Sequence, residues 1–452
     1  MGRAVFTGAS TPNATSIDVN PAALGLSTWN EVYLALMGTL DSYSIDRKHL
    51  DIDSGTLSDG EHVAQWVPSP GAMGAVVWHP DTAGQVTLGL NARSSPAERF
   101  IENEEALRYH TLAGEHRQLS VAIAGSFKID PHFHVGISLT AQPTFLWLHY
   151  ARDTALEAER DPARGVDSDC GGSPCGVENP QATETYSVAV ESDIVAPSNF
   201  GFNIGVVGEP WKNVWLALAY HAPPGLAPES ELHGTIDVER APRDGGGHLD
   251  GAATVYISQP ATLNLEVRAR LRSQWELHFG SRLEFLARFQ RYDVRAYGSL
   301  FEDAGVPEWM PRPRGLRNNV AAWAGIEQVE QNGFEPTPFR LGARVGVETE
   351  SVRDDRTSPL TVAPFSFTVD GGAQVRFESV VFQLTLGLQY YPAVNVNDSA
   401  FDPLARLACA DSGHDYTTNA CRSVREGYAL PTAAGDYQRF QLSSRLAMRY
   451  EW

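Results

Sequence analysis

From Phe440 to Trp452 the chain alternates without interruption. Even positions carry Phe440, Leu442, Ser444, Leu446, Met448, Tyr450 and Trp452; odd positions carry Gln441, Ser443, Arg445, Ala447, Arg449 and Glu451. A period of two places these sets on opposite faces of a strand, one apolar and one polar or charged. The pattern returns with its phase reset. Leu263, Leu265, Val267, Ala269 and Leu271 oppose Asn264, Glu266, Arg268 and Arg270. Trp275, Leu277, Phe279, Leu283, Phe285 and Phe289 oppose Glu276, His278, Arg282, Glu284, Arg288 and Gln290. Phe339, Leu341, Val345 and Val347 oppose Arg340, Arg344, Glu348 and Glu350. Any one strand fits a soluble sandwich with its charged face in water. It fits equally a membrane barrel with its apolar face in lipid and mixed-sign charges pairing across the lumen. Stretches often above ten residues favour the barrel, because soluble strands average about five or six.

The connections alternate in length. Short polar turns fall at His79-Pro80-Asp81, Asp130-Pro131, Glu209-Pro210-Trp211, Leu271–Gln274, Glu335-Pro336-Thr337 and Phe377-Glu378. Long loops take up 96–110, 153–182, 222–250, 299–316, 352–361 and 399–436. Short turns at one rim and long loops at the other are the bacterial barrel layout. The intervening strands number fourteen: 29–47, 66–79, 84–95, 111–129, 132–151, 183–208, 212–221, 251–271, 274–298, 317–330, 338–351, 362–377, 379–397 and 437–452. The expected fold is an all-β, transmembrane antiparallel barrel of about 14 strands. No fixed-period repeat points to a propeller or solenoid.

Composition narrows the function. The chain has 452 residues, 42% of them hydrophobic, and a formal charge of −20. It is too apolar for a disordered acidic polymer, and its sign opposes nucleic-acid binding, which needs an excess of Lys and Arg. No run reaches the roughly 18 apolar residues that a spanning helix requires. Met1-Gly2-Arg3 leads straight into a small-residue, Ser/Thr-rich segment rather than the apolar region of a secretory signal, so an exported chain would be numbered after processing or trimmed. The cysteines form two local pairs in Gly/Asp/Ser-rich stretches, Cys170/Cys175 and Cys409/Cys421. Disulfides within each pair suit an oxidising compartment; free thiols and a zinc site are the alternatives, though the spacings match no standard zinc pattern.

Catalysis finds little support. The histidines are scattered and no G-x-S-x-G element occurs, so no enzyme, cofactor or metal is expected. His132 and His134 share a face beside a turn without a third ligand. Asp167, Asp169 and Glu178 lack the spacing of a calcium loop. Arg268, Arg270, Glu284, Arg288, Arg344 and Glu348 read as a lumenal salt-bridge network rather than a selectivity ring, since mixed signs cancel.

Residues 1–28 do not alternate. They run Gly2-Arg3-Ala4-Val5-Phe6-Thr7-Gly8-Ala9-Ser10 to Asp18-Val19-Asn20-Pro21-Ala22-Ala23-Leu24. G-R-A…G…D-x-x-N-P-A-x-L before a first strand resembles the N-terminal hatch signature of the FadL/TodX family of outer-membrane fatty-acid and hydrocarbon channels. The likeness continues at Phe200–Val206, Glu209-Pro210, Leu216–Tyr220 and Gln259-Pro260-Ala261-Thr262-Leu263, in order along the whole chain. It implies a hatch over 1–28, with Asn20, Pro21 and Ala22 near its end, inside a barrel over 29–452. It also implies a lateral opening at a kink in the third strand, matched here by Asn91–Pro96, where Pro96 removes a ladder donor. The family's hatch has a further stretch before the Gly-Arg, and the two cysteine pairs are additions that would stiffen long loops.

The resemblance implies passive uptake of a hydrophobic small molecule, a long-chain fatty acid or an aromatic hydrocarbon, across the bacterial outer membrane. Capture is expected where Leu226, Leu232 and Ile236, with Val255 and Tyr256, border the fourth loop, followed by a pocket partly lined by Val5 and Phe6. The expected partners are that ligand, outer-membrane lipid and lipopolysaccharide, and the barrel assembly machinery through the C-terminal strand; the expected state is a monomer. The alternative is a structural or adhesive barrel with a blocked lumen.

Overall fold

In the computed structural model the wall is a single closed antiparallel sheet of fourteen strands. The structure describes residues 5–50, 56–80, 85–96, 98–99, 105–154, 178, 180–224, 229–272, 274–329, 339–403, 405–406, 409, 412–413 and 415–452. In chain order the strands are β1 (Glu31–Arg47), β2 (His62–Trp78), β3 (Val86–Ser94) and β4 (Ala113–Asp130). Each of the next six is built in two pieces. These are β5 (Phe133–Ala141 and Thr144–Asp153), β6 (Thr183–Glu191 and Phe200–Trp211) and β7 (Val214–His221 and Ser230–Glu239). They continue with β8 (His248–Ile257 and Thr262–Arg272), β9 (Trp275–Glu284 and Arg291–Tyr297) and β10 (Trp309–Pro313 and Asn319–Gln328). The last four are β11 (Phe339–Glu348), β12 (Ser366–Phe377), β13 (Val380–Val396) and β14 (Gly435–Glu451). Closure is by β1 against β14, in register from Glu31↔Glu451 to Arg47↔Gly435.

Side chains sort as the C-terminal alternation demands. Leu442, Leu446, Met448, Tyr450 and Trp452 point outward and are exposed, while Arg445, Ala447 and Glu451 are buried within. Exposed aromatics gather at two heights. Trp78, Trp211, Phe339, Phe377 and Trp452 ring the short-turn rim, and Trp66, Phe200, Tyr220, Phe367 and Tyr390 form a second belt. Across the second belt Phe367 pairs with Tyr390 and Tyr390 with Phe440, and the Phe440 ring meets Trp66 edge-on at 4.9 Å. On β13 the apolar outer face runs from Val380 to Tyr390, about 25 Å of height for tilted strands, the thickness of a membrane barrel's apolar band.

Above that band the pattern inverts. The upper pieces of β5 to β10 turn apolar side chains inward, so that Leu146, Leu148, Tyr186, Val188, Val255 and Val294 form one packed core. Their outer faces are polar: Glu231, His233, Asp237 and Glu239 on β7 are exposed. A face rich in carboxylates belongs in water, so these pieces stand outside the lipid as an extension of the barrel. Five of the six breaks carry a proline at or beside them: Pro143, Pro197, Pro223, Pro260 and Pro313. Proline cannot donate to a ladder, so each interrupts its strand where the wall bends. The stretches 222–250 and 299–316, expected as loops, therefore contain strand. The strand expected over 274–298 is interrupted, and Phe289 is buried inside rather than facing lipid.

The inversion generates a paired prediction. Leu386→Arg, in the middle of the lipid-facing band, should lower unfolding stability by about 2–4 kcal/mol. Thr235→Arg, equally outward-facing but on the extension, should change it by less than about 0.5 kcal/mol. Urea titration of both variants in lipid vesicles measures the difference; equal losses would place the extension in the membrane.

Candidate functional site

The short-turn half of the lumen is occupied by the N-terminal segment. From Phe6 to Leu26 almost every residue is buried, including a single helical turn at Ser16–Val19 and a 3₁₀ stretch at Pro21–Leu26. Side chains pointing inward from around the wall hold its backbone. Glu266 on β8 accepts from the amides of Ala9 and Ser10 at 3.1 and 3.2 Å. Glu327 on β10 accepts from the amide of Phe6 at 2.8 Å. Arg344 on β11 donates to the Thr7 carbonyl at 2.9 Å and Arg445 on β14 to that of Val5 at 3.0 Å. Glu31 accepts from Ala14, and His221 donates to the Val19 carbonyl. His278 sits between the carboxylates, 3.7 Å from Glu266 and 3.6 Å from Glu327. Phe6 adopts a left-handed φ of 60°, a strained conformation for a bulky residue, with its amide fixed by Glu327.

The Asn20-Pro21-Ala22 element is the most closely fitted part. The Asn20 amide donates to the carbonyls of Ala9 and Val206, and its oxygen caps Ala22 at 3.1 Å. Ser126 donates to the Ala22 carbonyl at 2.9 Å. Two wall glycines make room. A Cβ on Gly136 would lie 2.2 Å from the Ala22 nitrogen, and one on Gly205 would overlap the Asn20 side chain.

Higher in the lumen lies a chamber of about 450 Å³, lined from β1 at Thr39–Tyr43 round to β14 at Arg439–Gln441. Its wall is mixed. Leu286, Phe289, Leu316, Leu360 and Val362 supply apolar surface. The charges are paired: Arg439 donates to Asp41 at 2.7 Å, and Arg314 forms a two-bonded pair with Glu98 while lying 4.6 Å from the Phe289 ring centroid. Below the N-terminal segment a polar recess of about 240 Å³ opens among Arg268, Arg270, Glu276, Arg376, Arg449 and Glu451. There Arg268 and Arg270 reach Glu276 at 3.4 and 2.9 Å, and Arg376 and Arg449 reach Glu451, both at 2.7 Å.

The chamber reaches the wall at Ser95 and Pro96. The β2–β3 ladder ends at Ala72↔Ser94, whereas β2 stays paired with β1 as far as His62. Among the described residues the β2–β3 register does not continue above that pair. Pro68 and Pro70 occupy alternate positions there, so both missing donors fall on one edge, and the β1 register runs through them unbroken. Just below, on the lipid side, small outward residues (Ala72, Gly74, Ala92, Ser94) leave an apolar furrow of about 680 Å³ between Leu34, Leu36, Leu119 and Leu446. Asn91 lies within the regular ladder, paired with Ala75 and Ala122, and is buried with both amide atoms unpartnered. The interruption itself falls at Ser95–Pro96.

Of the other expected residues, Val5 and Phe6 are buried, in contact with Gly342 and Gly372 of the wall. Leu232 and Ile236 are fully buried in the core of the extension, away from the chamber lining. Leu226, Cys170 and Cys175 lie outside the described residues. Cys409 and Cys421 are joined by a disulfide. Glu266, Glu327, Ser126 and the Pro68/Pro70 pair were not singled out from the sequence. Only the prolines carried a local signal, since a P-x-P within an alternating strand marks an edge.

A closed wall banded for lipid, an N-terminal segment packed in its lumen and a chamber above it define a transmembrane barrel of the outer-membrane channel class. The chain belongs to the outer membrane protein transport protein family (OMPP1/FadL/TodX), whose model matches residues 1–304. No curated protein matches it. Among solved structures it is similar to a Pseudomonas aeruginosa FadL homologue, at 16% identity and TM-score 0.74, covering 100% of this chain and 97% of that one. It is also similar to the Pseudomonas putida toluene transporter TodX, at 13% identity and TM-score 0.62, covering 100% and 95%. A third likeness is to the Ralstonia pickettii toluene transporter TbuX, at 13% identity and TM-score 0.58, covering 97% and 94%. At these identities the likeness speaks to the fold.

Two predictions follow from the anchoring. Glu266→Ala leaves two buried amides and the Ser10 hydroxyl without their acceptor, so the N-terminal segment should loosen by about 1–3 kcal/mol per orphaned group. Cells carrying the variant should admit bulky hydrophilic antibiotics faster; unchanged sensitivity with normal barrel levels would show that the segment is held without this carboxylate. His110, buried outside the lipid band against Phe401, is pushed well below the usual imidazole range by its burial and then by Arg47 and Arg312. It is neutral when folded and takes a proton more readily when unfolded. Its contribution is therefore complete above the unfolded value, about 6.5, and is lost as pH falls below it, by at most about 1.4 kcal/mol per pH unit. The 398–434 segment should be cut faster by protease at pH 5 than at pH 7.5, and His110→Phe should flatten that difference.

Proposed function

We propose that this protein conducts hydrophobic small molecules passively across the outer membrane, with residues 1–28 as the hatch and 29–452 as the barrel. The observation that carries this reading is the chamber's position: it lies above the hatch and reaches the wall at Ser95 and Pro96, where β3 ends, close to an apolar furrow on the lipid side. A ligand entering from the loop end would rest against Leu286, Phe289, Leu316 and Leu360, with the hatch residues Val5 and Phe6 further down the lumen. Each buried CH₂ contributes about 0.8 kcal/mol, which holds a ligand transiently without covalent chemistry. It would then leave sideways between β2 and β3 near Pro96. In this reading outer-membrane lipid and lipopolysaccharide surround the wall, β14 engages the assembly machinery, and one copy suffices. Long-chain fatty acids and aromatic hydrocarbons are the two ligand classes to compare.

A structural or adhesive barrel is the second reading, supported by the density of bonds between hatch and wall. Uptake separates them. Cells with the gene should take up labelled oleate or toluene faster than cells without it; equal rates would leave the blocked barrel. If the β2–β3 edge is the exit, replacing Pro68, Pro70 and Pro96 together by Val should cut uptake several-fold while the barrel stays folded, because restored donors let the ladder extend. Undiminished uptake by that variant would exclude the lateral route.

A further inference from the structure

The chamber's ionic groups are matched to one another before any ligand arrives. Arg439 engages all three of its guanidinium nitrogens within the chain. Nε and Nη2 donate to Asp41 at 2.9 and 2.7 Å, and Nη1 donates to the Val362 carbonyl at 2.8 Å. Asp41 is 7% exposed and is fixed from its other side by Gln441, whose amide reaches both carboxylate oxygens at 3.0 Å. The guanidinium also stands 4.8 and 5.3 Å from the Tyr391 and Tyr43 ring centroids. Arg314 is matched too: Nη1 and Nη2 meet the two oxygens of Glu98, and Nη1 reaches the Tyr292 hydroxyl at 3.1 Å. His116 lies 3.7 Å from the same carboxylate.

A guanidinium whose fork already holds a carboxylate has little to offer a second one. An entering carboxylate would also face the charges of Asp41 and Glu98, which oppose it, and would lose its hydration against Leu286, Phe289 and Leu360. An uncharged molecule meets neither penalty. Thr39, Gln118 and Gln259 add neutral polar groups to the lining. A plain hydrocarbon desolvates such groups and gives nothing back, whereas a hydroxyl takes the place of the water it displaces.

We propose that the chamber selects uncharged hydrophobic molecules bearing one hydrogen-bonding group, phenols and alcohols, over both carboxylates and plain hydrocarbons. Asp41 sets the preference by occupying the guanidinium that a ligand carboxylate would otherwise take. The proposal rests on the chamber being the resting place of the conducted ligand, and its test reads binding rather than uptake. Titration calorimetry on the purified full chain in phosphatidylcholine nanodiscs, with empty nanodiscs subtracted, would use p-cresol, toluene and p-toluate, which differ in one substituent. p-Cresol should bind saturably, with toluene and p-toluate at least tenfold weaker. Thr39→Trp, which fills the chamber and keeps every charge, should remove p-cresol binding. Asp41→Ala frees Arg439 and should raise the affinity of p-toluate relative to p-cresol at least tenfold. Asp41→Asn keeps the shape without the charge and should raise that ratio at least threefold, even if the alanine variant fails to fold. A side chain that only supports the wall would weaken all three probes together. The proposal is overturned if p-cresol gives no saturable heat, if toluene or p-toluate binds the unaltered chain as tightly, if Thr39→Trp leaves p-cresol affinity unchanged, or if the ratio stays constant in the folded Asp41 variants. Absent uptake with these affinities intact would count against conduction alone.

Discussion

Lipid supplies no hydrogen-bond partner, so every backbone amide at membrane depth must find one within the chain. That requirement closes the sheet through β1 and β14, and it also governs where the sheet is allowed to open. An unpaired donor in hydrocarbon costs several kcal/mol, and among the described residues the β2–β3 register stops at Ala72↔Ser94, within the aromatic belts. Above that pair Pro68 and Pro70 have no amide hydrogen to leave unsatisfied, and Pro96 brings the same property to the facing chain. The same device recurs on β10, where Pro311 and Pro313 alternate, paired with β9 on one side, while Gly427 packs against the Pro311 carbonyl on the other. Prolines in this wall are thus placed where the ladder stops.

Much of the fold was legible because lipid reverses the usual rule of burial and leaves an alternating signature. The run from Phe440 to Trp452 reads correctly at every position as outward or inward. The extension was legible in principle and was read as loop, because its alternation has the opposite sense. Leu232, Ile236 and Val238 interleave with Glu231, His233, Asp237 and Glu239 as cleanly as any spanning strand. Their apolar face points in because water, not lipid, lies outside. The proline at nearly every break was the cue to the change of solvent. Phe289 shows the penalty for missing it: two-residue counting carries its side chain into lipid, and the break turns it into the lumen.

The site was less legible, since its contacts join residues far apart in the chain. Asn-Pro-Ala announces a turn, but nothing near Asn20 says that Gly136 and Gly205 have been left without side chains to receive it. Glu266 looks like any inward charge on an alternating strand. Its distinction is that Ala9 and Ser10 arrive opposite it, across a sequence separation of more than 250. Periodicity reports which face a side chain takes and is silent on what meets it there.

The magnitudes also weigh the two ways out of the chamber. Passage through the hatch would break charge-assisted bonds at Glu266, Glu327, Arg344 and Arg445, besides the Asn20 and Ser126 contacts. At about 1.5–3 kcal/mol for each bond to a charged group, the four charged anchors alone sum to roughly 6–12 kcal/mol. An apolar ligand offers these groups no replacement partners. Among the described residues no β2–β3 register continues above Ala72↔Ser94, and the furrow beyond is already apolar. In the proposed reading a greasy molecule would therefore meet its lower barrier at the side of the barrel. If conduction follows the proposed lateral route, the polar grip on the N-terminal segment would keep water-soluble compounds from crossing a lumen whose ligands need not travel its full length.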